Sequence, residues 1–289
     1  MRVMPLLVLL LLAALLSGCV SQRESSGQIK VATTIVPLGE FVHAVGGTRV
    51  SVTVLVPPGV EPHTFEPSPS QIREVADADI YAENGAGLES WMDSILQVNS
   101  RMLVVDTSKG VGLIAGTGDG ETASDGGMAM DPHIWLSPRN AMTQVRNICD
   151  GLTKVDPAGK DYYADNRDKY INKLKELDAY LNSTFAGTKK KKFVVLHPAW
   201  TYFARDYGLT QIAIDVEEKE PGPRYLTELV SSAHANNITT VYVEPQYNPK
   251  MAEVISKEIS GKVVSIDDLA PNYIENLKSV GEKIAKSLR

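Results

Sequence analysis

Cysteine is nearly absent from this chain, with two residues among 289. Cys19 ends an N-terminal targeting segment, which leaves Cys149 without a partner for an internal disulfide. Cys149 lies on the apolar side of a helical pattern, where a free thiol packs as a small hydrophobic group. The fold must therefore be stabilised by packed hydrophobic cores and not by disulfide bonds.

An excess of positive charge is also missing. The chain has 29 Lys and Arg residues against 35 Asp and Glu residues, a formal net charge of −6 at pH 7. Because nucleic-acid binding proteins collect phosphates with a basic field, this balance argues against a nucleic-acid partner. The basic run at residues 189–192 lies between a helical pattern and an apolar strand pattern, which is typical of a solvated loop.

Long hydrophobic runs are limited to residues 6–16, which are too few to span a bilayer. With Arg2 before this run and Leu-Ser-Gly-Cys after it, residues 1–19 are predicted to be a signal segment and not a transmembrane helix. Leu-Ser-Gly-Cys resembles the lipobox of bacterial and archaeal lipoproteins, which implies that Cys19 carries a lipid. The alternative is an ordinary signal peptide. Residues 20–28 are then a polar tether to the membrane.

Apolar β-branched runs alternate with helical patterns in both halves of the chain, which predicts an α/β fold with mostly parallel sheets. Strands are expected at residues 29–35, 50–56, 78–82 and 102–105, and again at 193–196, 211–214, 240–243 and 263–266. Helices are expected between them, the third of them at residues 88–98. The second half thus repeats the layout of the first. Ligands of such sheets collect beyond the carboxyl ends of the strands.

A long helical pattern at residues 159–187 separates the two halves. Its apolar positions recur at steps of three and four, which indicates one buried stripe along the helix. We therefore predict an N-terminal lobe at residues 29–158, a linking helix at 159–187 and a C-terminal lobe at 188–289. Residues 108–130 are rich in glycine and polar groups and are expected to form a flexible loop.

Histidine is scarce, and three of the five histidines adjoin proline in loops: His63, His133 and His197. His63 and His197 follow predicted strands, and so does the pair Asp267-Asp268. Three imidazoles and one carboxylate at strand ends would form a four-coordinate metal site. A lone loop histidine is more often a surface hydrogen-bonding group, and no His-x3-His spacing is present. The residues alone leave both interpretations open.

Five stretches of the sequence carry a family resemblance. They are PPGVEPHTFEP at residues 57–67, DPHIW at 131–135, residues 194–203 around His197, VEPQ at 243–246 and IDDL at 266–269. Together they resemble the TroA-like zinc- and manganese-binding proteins that serve ABC importers, over residues 29–288. The resemblance implies two α/β lobes, one long linking helix and a metal in the cleft between the lobes.

The resemblance also implies that His63, His133, His197 and Asp267 are the metal ligands. Asp267 is preferred to Asp268 because the stretch in the family commonly reads Asp-Pro-Leu, with the ligand first. Glu66 and Glu244 are candidates for orienting these ligands from outside, and ordinary salt bridging is the alternative for both.

Three imidazoles with one carboxylate suit Zn²⁺, whereas Mn²⁺ favours more oxygen ligands. Manganese binders of the family commonly have a carboxylate in place of His197, so Zn²⁺ is the expected cargo and Mn²⁺ the less favoured one.

The resemblance implies that the partners are an ABC permease and its ATPase subunit. This chain would be a monomer that is anchored by its lipid on the extracytoplasmic face of the membrane and delivers the metal to the permease. Because protons compete for imidazole, affinity should weaken as pH falls through about 6.5.

Two other classes of function compete with metal transport. A zinc hydrolase would need an open coordination position and a general base such as Glu66, but Asp267 would close the coordination shell. An adhesin or structural lipoprotein would need no metal, and the clustered motifs count against it. The prediction is therefore a metal-binding protein that is not an enzyme.

Overall fold

The structure of the chain, a computed structural model, describes residues 27–116, 129–215 and 221–289. The predicted signal segment with Cys19, most of the predicted tether and the centre of the predicted glycine-rich loop lie outside the described residues. The described ends of that loop are joined by an antiparallel bridge between Ala115 and Met130. Among the helices described, none has both the length and the apolar composition that crossing a bilayer requires.

Four parallel strands form the sheet of the first lobe, in the order β2-β1-β3-β4. They are Ile29–Thr33 (β1), Val50–Val54 (β2), Ile80–Glu83 (β3) and Leu103–Asp106 (β4). The two central strands are the most deeply buried, as expected for apolar strands that are covered by helices on both faces. Because the strand order reverses beside β1, a crevice opens at the carboxyl ends of these strands.

The sheet of the second lobe has the same topology, β6-β5-β7-β8. Its strands are Lys192–Val195 (β5), Thr210–Ala213 (β6), Thr240–Val243 (β7) and Lys262–Ser265 (β8). All pair in parallel, and β5 occupies the place of β1. The ends of the predicted strands agree with those of these eight to within two residues, and the repeated layout of the two halves is confirmed.

Helices flank both sheets. Within the described residues they are Val36–Gly46 (α1), Pro69–Val75 (α2), Met92–Val98 (α3), Pro138–Val155 (α4), Lys160–Phe185 (α5), Thr201–Asp206 (α6), Pro223–Ala235 (α7), Lys250–Glu258 (α8) and Tyr273–Ser287 (α9). The third helix is expected from Leu88 but begins at Met92. The Glu89 carboxylate accepts hydrogen bonds from the backbone N–H groups of Asn84 and Gly85, which holds the preceding residues in turns.

The start of α4 follows the expected capping chemistry. Ser137 is the N-cap, and its hydroxyl accepts a hydrogen bond of 3.1 Å from the backbone N–H of Asn140. Pro138 occupies the first helical position, where its missing N–H is not needed. This start fixes the short 3₁₀ turn Ile134–Leu136 in front of it, and His133 is the residue before that turn.

The linking helix α5 has 26 residues and is about 39 Å long at 1.5 Å per residue. Its predicted stripe is buried: Tyr163, Tyr170, Leu174, Leu177 and Leu181. The stripe packs against α1 of the first lobe, against α4, and against α9 of the second. One hydrophobic core therefore runs continuously from the first lobe through the linking helix to the second lobe. Because relative motion would expose this shared core to water, large lobe movements are unfavourable.

Candidate metal centre

Three loops bring three histidines together where the two sheets face each other. His63 lies in the loop after β2, His133 precedes the turn that leads to α4, and His197 follows β5. The Nε2 atom of His133 is 3.0 Å from Nε2 of His63 and 3.0 Å from Nε2 of His197. One ligand nitrogen from each of the three imidazoles lies within 4.8 Å of the others. His133 and His197 are buried, and His63 is half-buried.

The spacing of these nitrogens suits a tetrahedral metal ion. Zinc binds imidazole nitrogen at about 2.0–2.1 Å, which places two nitrogens of a tetrahedral site about 3.3 Å apart. The observed separations of 3.0 Å would need to widen by only a few tenths of an ångström. His133 is the central member, since its Nε2 lies within hydrogen-bonding distance of both neighbours.

Asp131 orients His133. Its Oδ1 atom accepts hydrogen bonds from the backbone N–H of His133 at 2.9 Å and from Nδ1 of the same residue at 2.8 Å. With the proton on Nδ1, Nε2 presents its lone pair to the cluster. Burial alone would raise the pKa of Asp131, but the charge and hydrogen bonds of His133 lower this pKa overall. Sequence reasoning placed Asp131 in the family motif but assigned it no role.

Glu61 shapes the loop that carries His63. Its Oε1 atom accepts a hydrogen bond of 2.7 Å from the backbone N–H of His63. Its Oε2 atom accepts from the backbone N–H and the hydroxyl of Thr64, at 2.8 and 2.7 Å. Glu66, the nearby candidate for orienting a histidine from outside, is exposed to solvent. No sequence pattern marked Glu61 because a Glu two residues before a His is unremarkable in a loop.

The segment that carries His133 is also hydrogen-bonded to the second lobe. The Tyr202 hydroxyl donates to the carbonyl oxygen of Asp131 at 2.8 Å. The Trp135 indole N–H donates to the carbonyl oxygen of Asp268 at 2.7 Å, and the Tyr273 hydroxyl donates to that of Trp135 at 2.6 Å. Tyr202, Trp135 and Tyr273 are each at most 2% exposed. His133 is therefore held at the junction of the two lobes and not by the first lobe alone.

Glu244, the other predicted orienting carboxylate, lies at the end of β7 and is fully buried. One of its oxygens accepts a hydrogen bond of 2.8 Å from the indole N–H of Trp200, three residues beyond His197. Burial, and then the charge of Asp268, raise the pKa of Glu244 well above its ordinary value. This buried side chain supports the start of α6, after His197, through its contact with Trp200.

The two candidate carboxylate ligands differ in their surroundings. Asp267 is half-buried, and its Oδ1 accepts hydrogen bonds from Gln246 Nε2 at 3.0 Å and from the backbone N–H of Leu269 at 2.9 Å. Asp268 is 4% exposed, and its Oδ1 meets no hydrogen-bond partner in the described parts of the chain. Burial raises the pKa of Asp268 to about 7. Within the described residues, the compact cluster holds the three imidazoles without a carboxylate.

The buried position of the histidines changes their protonation. Burial, and then the charge of His133, lower the pKa of His63 to about 4. Burial, followed by the charges of His133 and His63, lowers the pKa of His197 well below 6.5. Because only a neutral imidazole binds a metal, protons compete for these two residues at a lower pH than the 6.5 expected for free histidine.

In the metal-free protein we expect the His63 ring to titrate with a midpoint near 4 when its carbon-bound proton signals are followed by NMR. Between this pH and 6.5 the His63 ring is protonated in the unfolded chain but neutral in the folded one. The contribution of His63 to the free energy of unfolding therefore increases with pH over that window. A midpoint near 6.5 for His63 would contradict the buried environment.

Comparison with known proteins gives one consistent result. The profile of the family described as ZnuA, "Zinc-uptake complex component A periplasmic", matches residues 31–287. The chain is 33% identical over 263 residues to the high-affinity zinc uptake system protein ZnuA of Bacillus subtilis, covering 88% of this chain and 82% of that protein. It is 32% identical over 305 aligned positions to the zinc-binding lipoprotein AdcA of Streptococcus pneumoniae strain R6, but spans only 61% of that longer protein.

Solved structures agree with the sequence relatives. A crystal structure of a ZnuA deletion mutant with zinc bound superimposes with a TM-score of 0.86 at 36% identity, covering 90% of this chain and 98% of that one. The two-lobed fold and the predicted family resemblance are thereby confirmed. The chain belongs to the ZnuA family of periplasmic zinc-uptake complex components.

Proposed function

We propose that this chain is the extracytoplasmic substrate-binding component of an ABC metal importer, which captures Zn²⁺ and delivers it to a membrane permease driven by an ATPase subunit. The observation that carries the proposal is the cluster of His63, His133 and His197, whose ligand nitrogens lie within 4.8 Å of one another. Membership of a family of zinc-uptake components supports the same cargo. The shared core of the two lobes suits a binder that closes by small movements.

Zinc is favoured over manganese by the chemistry of the cluster. Three imidazole nitrogens match the ligand set of tetrahedral zinc sites, whereas Mn²⁺ prefers oxygen. Isothermal titration of the domain from Gly27 onward with each metal, in competition with a chelator of known affinity, tests this choice. We expect one zinc ion per chain and affinity for Mn²⁺ that is weaker by about 100-fold, in line with the divalent series. Failure of both metals to bind tighter than about micromolar would refute the proposed function.

Asp267 is proposed as the fourth ligand, as the family resemblance implies. Its Oδ1 is already engaged by Gln246 and Leu269, so Oδ2 is the atom for the metal. In the same titration, Asp267→Asn is expected to weaken zinc binding by about 10- to 100-fold, less than loss of a histidine, because water can take the fourth position of a zinc site. Asp268→Asn is the matched control. A larger loss for Asp268→Asn would move the fourth ligand to that buried neighbour.

We further propose that the chain acts as a monomer tethered by a lipid on Cys19 through residues 20–28. The lipobox-like sequence supports this anchor, and so does the description of the pneumococcal relative as a lipoprotein. Mass spectrometry of the mature protein from its native membrane tests the modification, and a mature protein without an acylated Cys19 would exclude it.

The acidic net charge of −6 supports the absence of a nucleic-acid partner.

A zinc hydrolase built on the same histidines is the alternative, and the chain is proposed not to be an enzyme. The candidate general base, Glu66, is exposed, whereas a base would need to face a metal-bound water. Turnover of ester or peptide substrates that a chelator abolishes would favour the hydrolase.

A further inference from the structure

Tyr247, in the loop after β7, contacts the loops of two of the three clustered histidines. Its ring stacks on His197, with ring centroids 4.6 Å apart and an interplanar angle of 18°. Its hydroxyl donates a hydrogen bond of 3.3 Å to Oε1 of Glu61, from the other lobe. The same oxygen accepts the backbone N–H of His63 at 2.7 Å. One tyrosine therefore connects the His63 loop of the first lobe to His197 of the second.

The three histidines differ in how firmly they are held. His133 lies in a segment that is hydrogen-bonded to the second lobe through buried side chains, and His197 follows the central strand β5 and is 5% exposed. His63 is half-buried and lies in a long loop between β2 and α2. Phe65 fastens the far side of this loop to the first lobe by an edge-to-face contact with Trp91 at 5.3 Å.

We propose that Tyr247 and Glu61 form a latch across the cleft, which holds His63 against the other two histidines and slows the loss of a bound zinc ion. The inference rests on the proposed function. Breaking the hydrogen bond would remove one of the contacts between the His63 loop and the second lobe, beside the ring contact of His63 with His197 at 5.3 Å, so we expect His63 to be the ligand that leaves first. The stacked ring also fixes the orientation of His197. Tyr247 is thus a positioning residue that acts through two ligands without binding the metal.

Tyr247→Phe separates the two contacts, because phenylalanine keeps the stacked ring and loses the hydroxyl. The rate of zinc release is measured by stopped flow, with an excess of a fluorescent chelator added to the zinc-loaded domain. We expect release to be about tenfold faster than in the unchanged protein, the factor that loss of a hydrogen bond to a carboxylate predicts. The stoichiometry of one zinc ion per chain should not change.

Tyr180→Phe is the matched control. Tyr180 also donates its hydroxyl to a carboxylate, that of Glu282, but both residues lie on the outer surface of α5 and α9. This variant is expected to release zinc at the unchanged rate. Comparison of the two variants separates loss of the latch from any general effect of removing a tyrosine hydroxyl.

A second background tests whether Glu61 is the partner. In Glu61→Ala, where the acceptor is gone, adding Tyr247→Phe should change the release rate by less than about twofold, because coupled residues are not additive. An equal acceleration in both backgrounds would overturn the latch, and so would an unchanged rate for Tyr247→Phe in a domain that binds zinc. If the unchanged domain binds no zinc, the proposed function and the latch both fail.

Discussion

Replacing His133 by alanine is expected to weaken zinc binding by about 100- to 1,000-fold. Structural zinc sites release about 10–16 kcal/mol from four ligands, so one ligand is worth about 2.5–4 kcal/mol. The central position of His133, 3.0 Å from the nitrogens of both neighbours, makes its loss the most disruptive of the three. The substitution also leaves the Asp131 carboxylate without the Nδ1 donor that it binds at 2.8 Å.

The affinity of His133→Ala is measured by competition with a chelator of known zinc affinity, since direct titration cannot resolve tight binding. His234→Ala is the matched control, because this histidine is exposed on α7, and its removal should leave the affinity unchanged. Thermal unfolding of the metal-free variants shows whether the fold is kept. Affinity equal to that of the unchanged protein would mean that the three-histidine cluster is not the zinc site.

Replacing Trp135 by alanine is expected to lower the free energy of unfolding by about 3–5 kcal/mol. Its side chain is 0% exposed, and the cavity would open at the junction of the two lobes. The indole N–H that donates to the Asp268 carbonyl at 2.7 Å would be lost as well. Urea unfolding of the metal-free domain, followed by circular dichroism, measures the change. A loss below about 1 kcal/mol would show that the junction can repack.

Trp135→Phe divides this effect into packing and hydrogen bonding. Phenylalanine keeps most of the buried ring but leaves the Asp268 carbonyl oxygen without its donor, at a cost of about 1–3 kcal/mol. Because that carbonyl belongs to the turn that carries Asp267, we also expect weaker zinc binding in this variant. Unchanged zinc affinity in Trp135→Phe would indicate that the turn is positioned by its other contacts, such as that of Asn276 with the Asp267 carbonyl.

The secondary structure was largely predictable because each signal is local. β-branched apolar runs identify the eight strands, and Ser137-Pro138 identifies the start of α4 through the hydrogen bond between the cap and Asn140. The start of α3 lies at Met92 and not at Leu88, because the Glu89 carboxylate turns back to accept hydrogen bonds from the backbone N–H groups of Asn84 and Gly85. Such a contact has no periodic pattern that would reveal it.

The sequence by itself determined the residue types available to a metal and their place in loops. His63, His133 and His197 stand next to proline at the ends of predicted elements, where a rigid scaffold can aim them. It did not determine the distances between them, since His133 is 70 residues from His63 and 64 from His197 along the chain. Convergence of three side chains depends on how the two sheets pack around the shared core.

Only the tertiary structure decided which groups contact the three clustered histidines. The carboxylate that binds the backbone of His63 is that of Glu61, and Tyr247 reaches across the cleft to the same carboxylate, 186 positions away in the sequence. The carboxylate of Asp131 became a partner of His133 because a turn of two residues returns it to the imidazole. Hydrogen bonds of this kind depend on direction and on distances of about 3 Å, which composition and periodicity do not encode. Local patterns specify the elements, and the packing of the lobes specifies the site.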